Sequence, residues 1–150
     1  METTAETTRV EREVAIAASP ATVWEFLVDP DKAVRWMGID ATLDARPGGL
    51  YRVEVLPDTV ARGEFIELDP PRRLVWTWGW EPGTRSDLPP AGSTVAIELV
   101  PTEDGTLLRL RHELPSAEVG GHGEGWEHYL SRLAFAASGS DPGRDPWLSR

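Results

Sequence analysis

His112 is the histidine whose position in the sequence is best suited to chemistry. The alternation of apolar and polar residues from Leu108 to Leu114 places it on the apolar face of a predicted strand. There it is the candidate general acid or base of an interior cavity, because imidazole titrates near neutral pH. No carboxylate is clearly on the same face, and Tyr51 or Tyr129 is a candidate partner. The other interpretation is a buried histidine that is satisfied by a hydroxyl or backbone group.

Two patterns near the C-terminus contain only parts of a ligand site. Glu124 and His128 are four residues apart on one side of a predicted helix, a spacing that can hold a metal ion. His122 points elsewhere, and two ligands are too few. The glycine-rich run at 120–125 precedes a helix, as phosphate loops do, but it lacks the Lys-Ser/Thr pair and carries acidic residues. We therefore predict no metal and no other cofactor, and we interpret the run as a flexible hinge.

The composition excludes several classes of protein. Cysteine is absent, which removes disulfides, thiolate nucleophiles and cysteine metal sites. The only lysine, Lys32, lies in a polar run where nothing would desolvate it, so a Schiff-base mechanism is disfavoured. With 25 acidic and 15 basic residues, the net charge of -10 disfavours nucleic acid and anionic membranes as partners. No apolar run is long enough for a signal peptide or a membrane span, and we expect a cytoplasmic, soluble, acidic protein.

The predicted elements are a strand, two short helices, six strands and a long helix. Alternation at 10–17 predicts the first strand, and Ser19 followed by Pro20 predicts the start of the first helix. A second short helix is predicted at 31–36. Apolar residues spaced by three and four predict a final helix at 126–137. The six strands between them are predicted at 39–45, 49–56, 60–68, 73–80, 93–100 and 106–114.

These elements predict an antiparallel sheet with one apolar and one polar face. The short connections favour a meander, and Gly63 within its strand predicts a bulge that curls the sheet. The stripe of the last helix is expected to lie on the apolar face of the sheet. We predict a single domain at 10–138, a disordered tail at 1–9 and a flexible tail at 139–150.

Several segments, in this order, carry a family resemblance. They are ASPATVW at 18–24, DP at 29–30 with Trp36, PGGLY at 47–51, GEFIELDPPRRLVWTW at 63–78, LRLRH at 108–112 and GW at 125–126. Together they resemble the START-like, helix-grip superfamily called SRPBCC, and within it the group related to the C-terminal domain of the activator of the heat-shock chaperone ATPase. The resemblance implies an α+β helix-grip fold, in which a curled antiparallel sheet of about seven strands (β-α-α-β6-α) wraps around a long C-terminal helix.

The resemblance also implies a cavity between the sheet and the last helix. Its expected lining is Trp24, Phe26, Tyr51, Phe65, Trp76, Trp78, Ile97, Leu110, His112, Trp126, Tyr129 and Leu133. The leading hypothesis is non-catalytic binding of a small hydrophobic or aromatic molecule. One alternative is a cyclase- or hydrolase-like enzyme that uses His112 as acid or base, and the other is an interaction module that stimulates a chaperone ATPase.

Two further residues have open interpretations. Phe135 lies opposite Trp126 on the helical wheel, outside the apolar stripe. It is covered by the tail through Trp147, or by a second subunit in a homodimer, or it is a lone surface aromatic. The loop at 81–92 is long for a hairpin, and we place it at the cavity mouth, where Arg85 would meet a polar or acidic group of a ligand.

Overall fold

The computed structural model describes residues 7–82, 88–90, 92–115 and 119–149. Within these residues the chain order of the elements is as predicted. The elements are β1 (Thr7–Ile16), α1 (Pro20–Val28), α2 (Pro30–Ala33), β2 (Asp40–Leu43), β3 (Leu50–Leu56), β4 (Thr59–Asp69), β5 (Arg73–Trp80), β6 (Ser93–Thr102), β7 (Gly105–Pro115) and α3 (Val119–Ala137).

The described strands form one antiparallel sheet in the order β1-β7-β6-β5-β4-β3-β2. The meander runs from β2 to β7, and β1 joins it beside β7, so the chain's first and last strands are neighbours. The curled sheet and the C-terminal helix make this the α+β helix-grip fold that the family resemblance implied.

Local signals explain where the first two helices begin and end. The Ser19 hydroxyl accepts a hydrogen bond from the backbone N–H of Thr22, and Pro20 occupies the first turn. Asp29 ends α1 in an extended conformation, and its side chain caps α2 by accepting from the N–H of Asp31 at 2.9 Å. The second helix is therefore a single turn, shorter than predicted.

Alternation assigns the inner and outer faces of the sheet correctly in β7, where His112 and its flanking leucines are buried and the intervening residues are exposed. The predicted bulge at Gly63 is misplaced, because the register of β4 on β5 shifts between Phe65 and Glu67. Gly63 has a different role. A Cβ atom there would lie 1.7 Å from the carbonyl oxygen of Thr77, so the neighbouring strand requires glycine.

The glycine-rich run at 120–125 is part of α3, and its interpretation as a loop is wrong. The helix begins at Val119, two turns before the predicted start. Glycine is a poor helix former, but tertiary contacts supply the missing stability. In this first part of α3, His122 contacts two tryptophans of β5, and Gly123 lies against the Arg12 guanidinium.

The residues after α3 turn back along the helix, so that Asp145 and Trp147 lie beside His128. Gly139 adopts a left-handed conformation just past the helix end, and residues 146–149 form a 3-10 turn. Phe135 stays 52% exposed, because the returning segment packs beside His128 instead. No described helix is long and apolar enough to cross a membrane.

Candidate functional site

An aromatic cluster fills the space between the sheet and α3. Its members from the sheet are Tyr51, Phe65, Trp76, Trp78, Trp80 and His112, and those from α3 are His122, Trp126 and Tyr129. Tyr51 stacks on Trp76 with ring centroids 5.1 Å apart. Trp78 lies 5.3 Å from Trp126, which joins β5 to α3. We call this set the interior aromatic cluster.

The structure brings nearly all of the predicted cavity residues into one core. Trp24 is the exception, since it is only half-buried at the core's edge. Phe26 is buried, but the cations of Lys32 and Arg35 lie over its ring on the α1 side. The other predicted members, all buried, are Tyr51, Phe65, Trp76, Trp78, Ile97, Leu110, His112, Trp126, Tyr129 and Leu133.

His112 stands in a chain of hydrogen bonds whose direction is fixed. The indole N–H of Trp126 can only donate, so it donates to Nδ1 of His112 at 3.0 Å. The proton of the ring must then be on Nε2, which donates to the Ser93 hydroxyl at 2.7 Å. Ser93 in turn donates to the Trp78 carbonyl oxygen at 2.7 Å. Every polar atom of His112 therefore has a partner.

This geometry holds His112 in its neutral form. The ring is fully buried, and burial, followed by the nearby His122, lowers the pKa of His112 to about 3. Protonation of Nδ1 would place two donors, the imidazolium and the Trp126 indole, against each other. The hydrogen bond between Ser93 and His112 also runs in the wrong direction to activate a serine nucleophile. A general base must accept the serine proton, whereas His112 donates its own proton to Ser93.

His122 occupies the rim of the cluster and was missed as a member by sequence reasoning. Its half-buried ring accepts a hydrogen bond at Nε2 from the indole N–H of Trp78, at 3.2 Å. The ring also lies 5.1 Å from His112 and 5.7 Å from Trp80. In a helix, His122 and Trp126 would lie one turn apart on the same face. The glycine run, however, gave no indication of a helix at this position.

Trp76 carries a buried hydrogen-bond donor that the described residues leave unmatched. Its side chain is 3% exposed, and its indole N–H has no hydrogen-bond partner among those residues. Beside it, burial raises the pKa of Tyr51 far above its usual value, so that hydroxyl stays neutral. The cluster thus presents aromatic faces and neutral polar groups.

Ion pairs surround this neutral interior. Glu127 of α3 pairs with Arg12 of β1 at 3.0 Å. Glu81 receives a bidentate contact from Arg52, at 2.9 and 3.1 Å, and a third contact from Arg62 at 3.0 Å. The hydrogen bonds from Arg52 and Arg62 lower the pKa of Glu81 to about 2. This clamp fixes the start of the loop at 81–92, while Arg85 lies outside the described residues.

The metal candidates of the sequence are not brought together. Nε2 of His128 lies 2.8 Å from the Asp145 carboxylate, and Glu124 is exposed to solvent. Across the described ranges, no three His, Cys, Asp or Glu side chains form a group that could hold a metal ion.

The outer face of the sheet carries a second concave surface. It is an open groove of about 490 Å³ between β1, β7, β6 and β5. Its lining is Glu11, Arg12, Glu13, Arg73, Ala96, Glu98, Arg109, Leu110 and Arg111. Acidic and basic residues alternate across the strands, with Glu13 paired to Arg109 at 2.8 Å. We call this surface the outer groove.

Comparison with known proteins identifies related sequences and folds. The family model described as Activator of Hsp90 ATPase homolog 1-like protein matches residues 17–137. The solution structure of an AHSA1-like protein from Rhizobium etli is 46% identical, with a TM-score of 0.77. That similarity covers 100% of this chain and 94% of the Rhizobium chain.

Two other solved structures extend the comparison. CalU16 from Micromonospora echinospora is 30% identical over 96% of this chain and 80% of its own, with a TM-score of 0.69. The Aha1 dimer from Colwellia psychrerythraea is 17% identical over 91% of this chain and 98% of its own, and its TM-score of 0.75 shows a shared fold. A search of curated proteins finds no match.

Proposed function

Because this chain belongs to the family of Activator of Hsp90 ATPase homolog 1-like proteins, we propose that it binds a small hydrophobic or aromatic molecule between its sheet and α3, without catalysing a reaction. The fold is that of a family of binding domains. The observation that carries the proposal is the buried Trp76 indole N–H, which has no acceptor among the described residues. A buried donor without a partner destabilises a protein by about 1–3 kcal/mol, and a guest with a carbonyl oxygen removes that penalty.

The rings around Trp76 favour a planar guest. Tyr51 stacks against one side of the cluster with an interplanar angle of 27° to Trp76, and Trp78 and Trp126 complete a wall of π faces. Such faces attract aromatic ligands through offset stacking and dispersion. The neutral forms of Tyr51 and His112 favour an uncharged guest, because a buried charge needs a partner of opposite sign.

Entry of a guest requires α3 to move, since its own aromatic side chains occupy the interior. The first part of α3 is suited to this motion, because four glycines at 120, 121, 123 and 125 weaken the helix. Contacts through His122 and Glu127 hold that part closed. The run at 120–125, interpreted from its sequence as a hinge, is therefore a helical segment of low intrinsic stability.

A matched pair of ligands tests the proposal. Fluorenone and fluorene share one planar shape, and only fluorenone carries a carbonyl acceptor. We expect quenching of tryptophan fluorescence to report binding of both, with fluorenone about three- to tenfold tighter, as one neutral hydrogen bond predicts. Trp76→Phe keeps an aromatic ring at this position but removes the N–H, so it should abolish the preference.

The control is Trp24→Phe, at a half-buried position on the edge of the core. It should leave the preference for fluorenone unchanged. Absence of binding by both compounds would contradict the proposed function. An undiminished preference in Trp76→Phe would show that the indole N–H is not the recognition group.

The hydrogen bonds of His112 weigh against the cyclase- or hydrolase-like alternative. A catalytic base needs a free lone pair directed at the substrate, and both ring nitrogens already have partners. If turnover of a confirmed substrate were found, the His112→Ala variant would have to lose it for that alternative to hold.

We propose an interaction module that stimulates a chaperone ATPase as the second candidate, because of the family's description and the outer groove. Alternating charges on a concave surface favour a partner of complementary charge pattern. The test measures ATPase activity of a purified Hsp90 chaperone with this protein. Charge reversal at Arg109 and Arg111 should abolish stimulation, whereas the interior variant Ile97→Trp should retain it if it folds.

A further inference from the structure

We propose that residues 141–148 form a strap that stabilises the folded centre of α3, and that release of this strap loosens α3 and so opens the interior aromatic cluster. The inference rests on the proposed binding function only for the identity of the molecule that enters the opened cluster. The strap's hold on α3 is carried by two anchors that lie four residues apart on the helix, Arg132 and His128.

The first anchor is the guanidinium of Arg132. It donates to the carbonyl oxygens of Gly143 at 2.8 Å and Pro142 at 3.4 Å in the strap. It also donates through Nε to the carbonyl oxygen of Trp36, at 3.2 Å. One side chain of α3 therefore contacts both the strap and the segment that follows α2, and movement of the helix away from that segment breaks the bond to Trp36.

The second anchor is the His128 ring. Its Nε2 atom lies 2.8 Å from Oδ1 of Asp145, which also accepts from the backbone N–H of Trp147 at 2.9 Å. The Trp147 indole stacks on the same imidazole with centroids 3.8 Å apart and planes within 3°. The strap thus holds one ring of α3 by a hydrogen bond at its edge and by stacking on its face.

Tyr129 connects this anchor to the interior. It belongs to the interior aromatic cluster and is 5% exposed. Its ring meets His128 at 4.8 Å and Trp147 at 5.5 Å, both edge to face. The strap therefore lies directly behind a residue of the proposed binding site. Undocking of Trp147 removes a ring contact of Tyr129 and so weakens the packing that keeps Tyr129 in the cluster.

The strap is suited to release because its docking is incomplete. Oδ2 of Asp145 is buried and has no hydrogen-bond partner among the described residues. A buried carboxylate oxygen without a donor opposes the docked state. Outside its 3-10 turn the strap has no regular backbone hydrogen bonding, so side-chain contacts to α3 determine whether it stays in place.

Hydrogen exchange measured by mass spectrometry on the full chain tests the strap without any ligand. In Trp147→Ala we expect exchange of the backbone amides of α3 to become about tenfold faster, as loss of the indole's ring contacts with His128 and Tyr129 predicts. Asp145→Asn removes the charge of the second anchor and should act in the same direction. Arg144→Ala is the control, since Arg144 is an exposed strap residue with no hydrogen bond or ion pair to the described residues.

A second readout separates the strap from the binding proposal. Stopped-flow quenching by fluorenone should show faster association in Trp147→Ala than in the control. Unchanged exchange in α3 in both strap variants would overturn the strap, whatever the ligand does. Faster exchange with no binding of fluorenone would support the strap while contradicting the proposed function. Faster exchange with an unchanged association rate would refute control of entry.

Discussion

Replacing His112 by glutamine tests the hydrogen-bond chain at the centre of the molecule. The glutamine amide offers one acceptor and one donor, as the neutral imidazole does, but it does not titrate. At neutral pH we expect His112→Gln to be less stable than the wild type by about 1–3 kcal/mol, because its polar atoms cannot match the positions of both ring nitrogens. The informative comparison is the change in stability between neutral and acidic pH.

The size of that change follows from the pKa of His112, which falls from 6.5 to about 3 on burial beside His122. The folded protein binds this proton less tightly than the unfolded chain. The stabilisation is therefore complete above the unfolded pKa and is lost as the pH falls from 6.5 towards 3. The loss from this one group is about 2 kcal/mol at pH 5 and about 4 kcal/mol at pH 3.

Urea unfolding followed by tryptophan fluorescence, at about pH 7.5 and about pH 5, measures the free energy of unfolding of both proteins. All other side chains are the same in the two proteins, so their contributions cancel in the comparison. The wild type should lose about 2 kcal/mol more than His112→Gln between the two conditions. Equal losses would refute the conclusion that His112 is buried, neutral and tautomerically fixed.

Three other substitutions test features around the site. Glu81→Gln should lower the Tm at neutral pH by about 2–4 °C, and this deficit should disappear as the pH falls through about 2, where the lowered pKa of Glu81 ends its contribution. Gly121→Ala places a methyl group in open space, so it should stabilise the first part of α3 by about 1 kcal/mol and slow association of fluorenone. If a homodimer covers the half-exposed Phe135, Phe135→Ser should lower the sedimentation coefficient to the monomer value, and an unchanged coefficient excludes that interface.

Local chemistry made much of the fold predictable. The cap at Ser19 and the proline after it set the start of α1, and the turn residues between strands set β5 at its observed limits. Alternation in β7 placed His112 in the interior. These signals act over a few residues, and each agrees with the final packing.

The missed features depend on contacts between distant segments. Residues 120–125 contain too much glycine to indicate a helix, yet His122 and Gly123 meet β5 and β1 there. Likewise, the partners of His112 are the Ser93 hydroxyl and the Trp126 indole, on β6 and α3. A sequence pattern gives the face on which a side chain lies, but the direction of a hydrogen bond depends on the rotamers of both partners.

The pairing of β1 with β7 has a consequence for folding during synthesis. In that ladder 96 residues separate Glu13 from Arg109, so the first strand leaves the ribosome long before its partner exists. Until β7 is made, β1 and the outer edge of β6 both present unpaired backbone groups. Pairing of β1 with β7 is a late, long-range step that slows folding. The nascent chain depends most on protection from aggregation during this interval, which ends when β7 has been synthesised and pairs with β1.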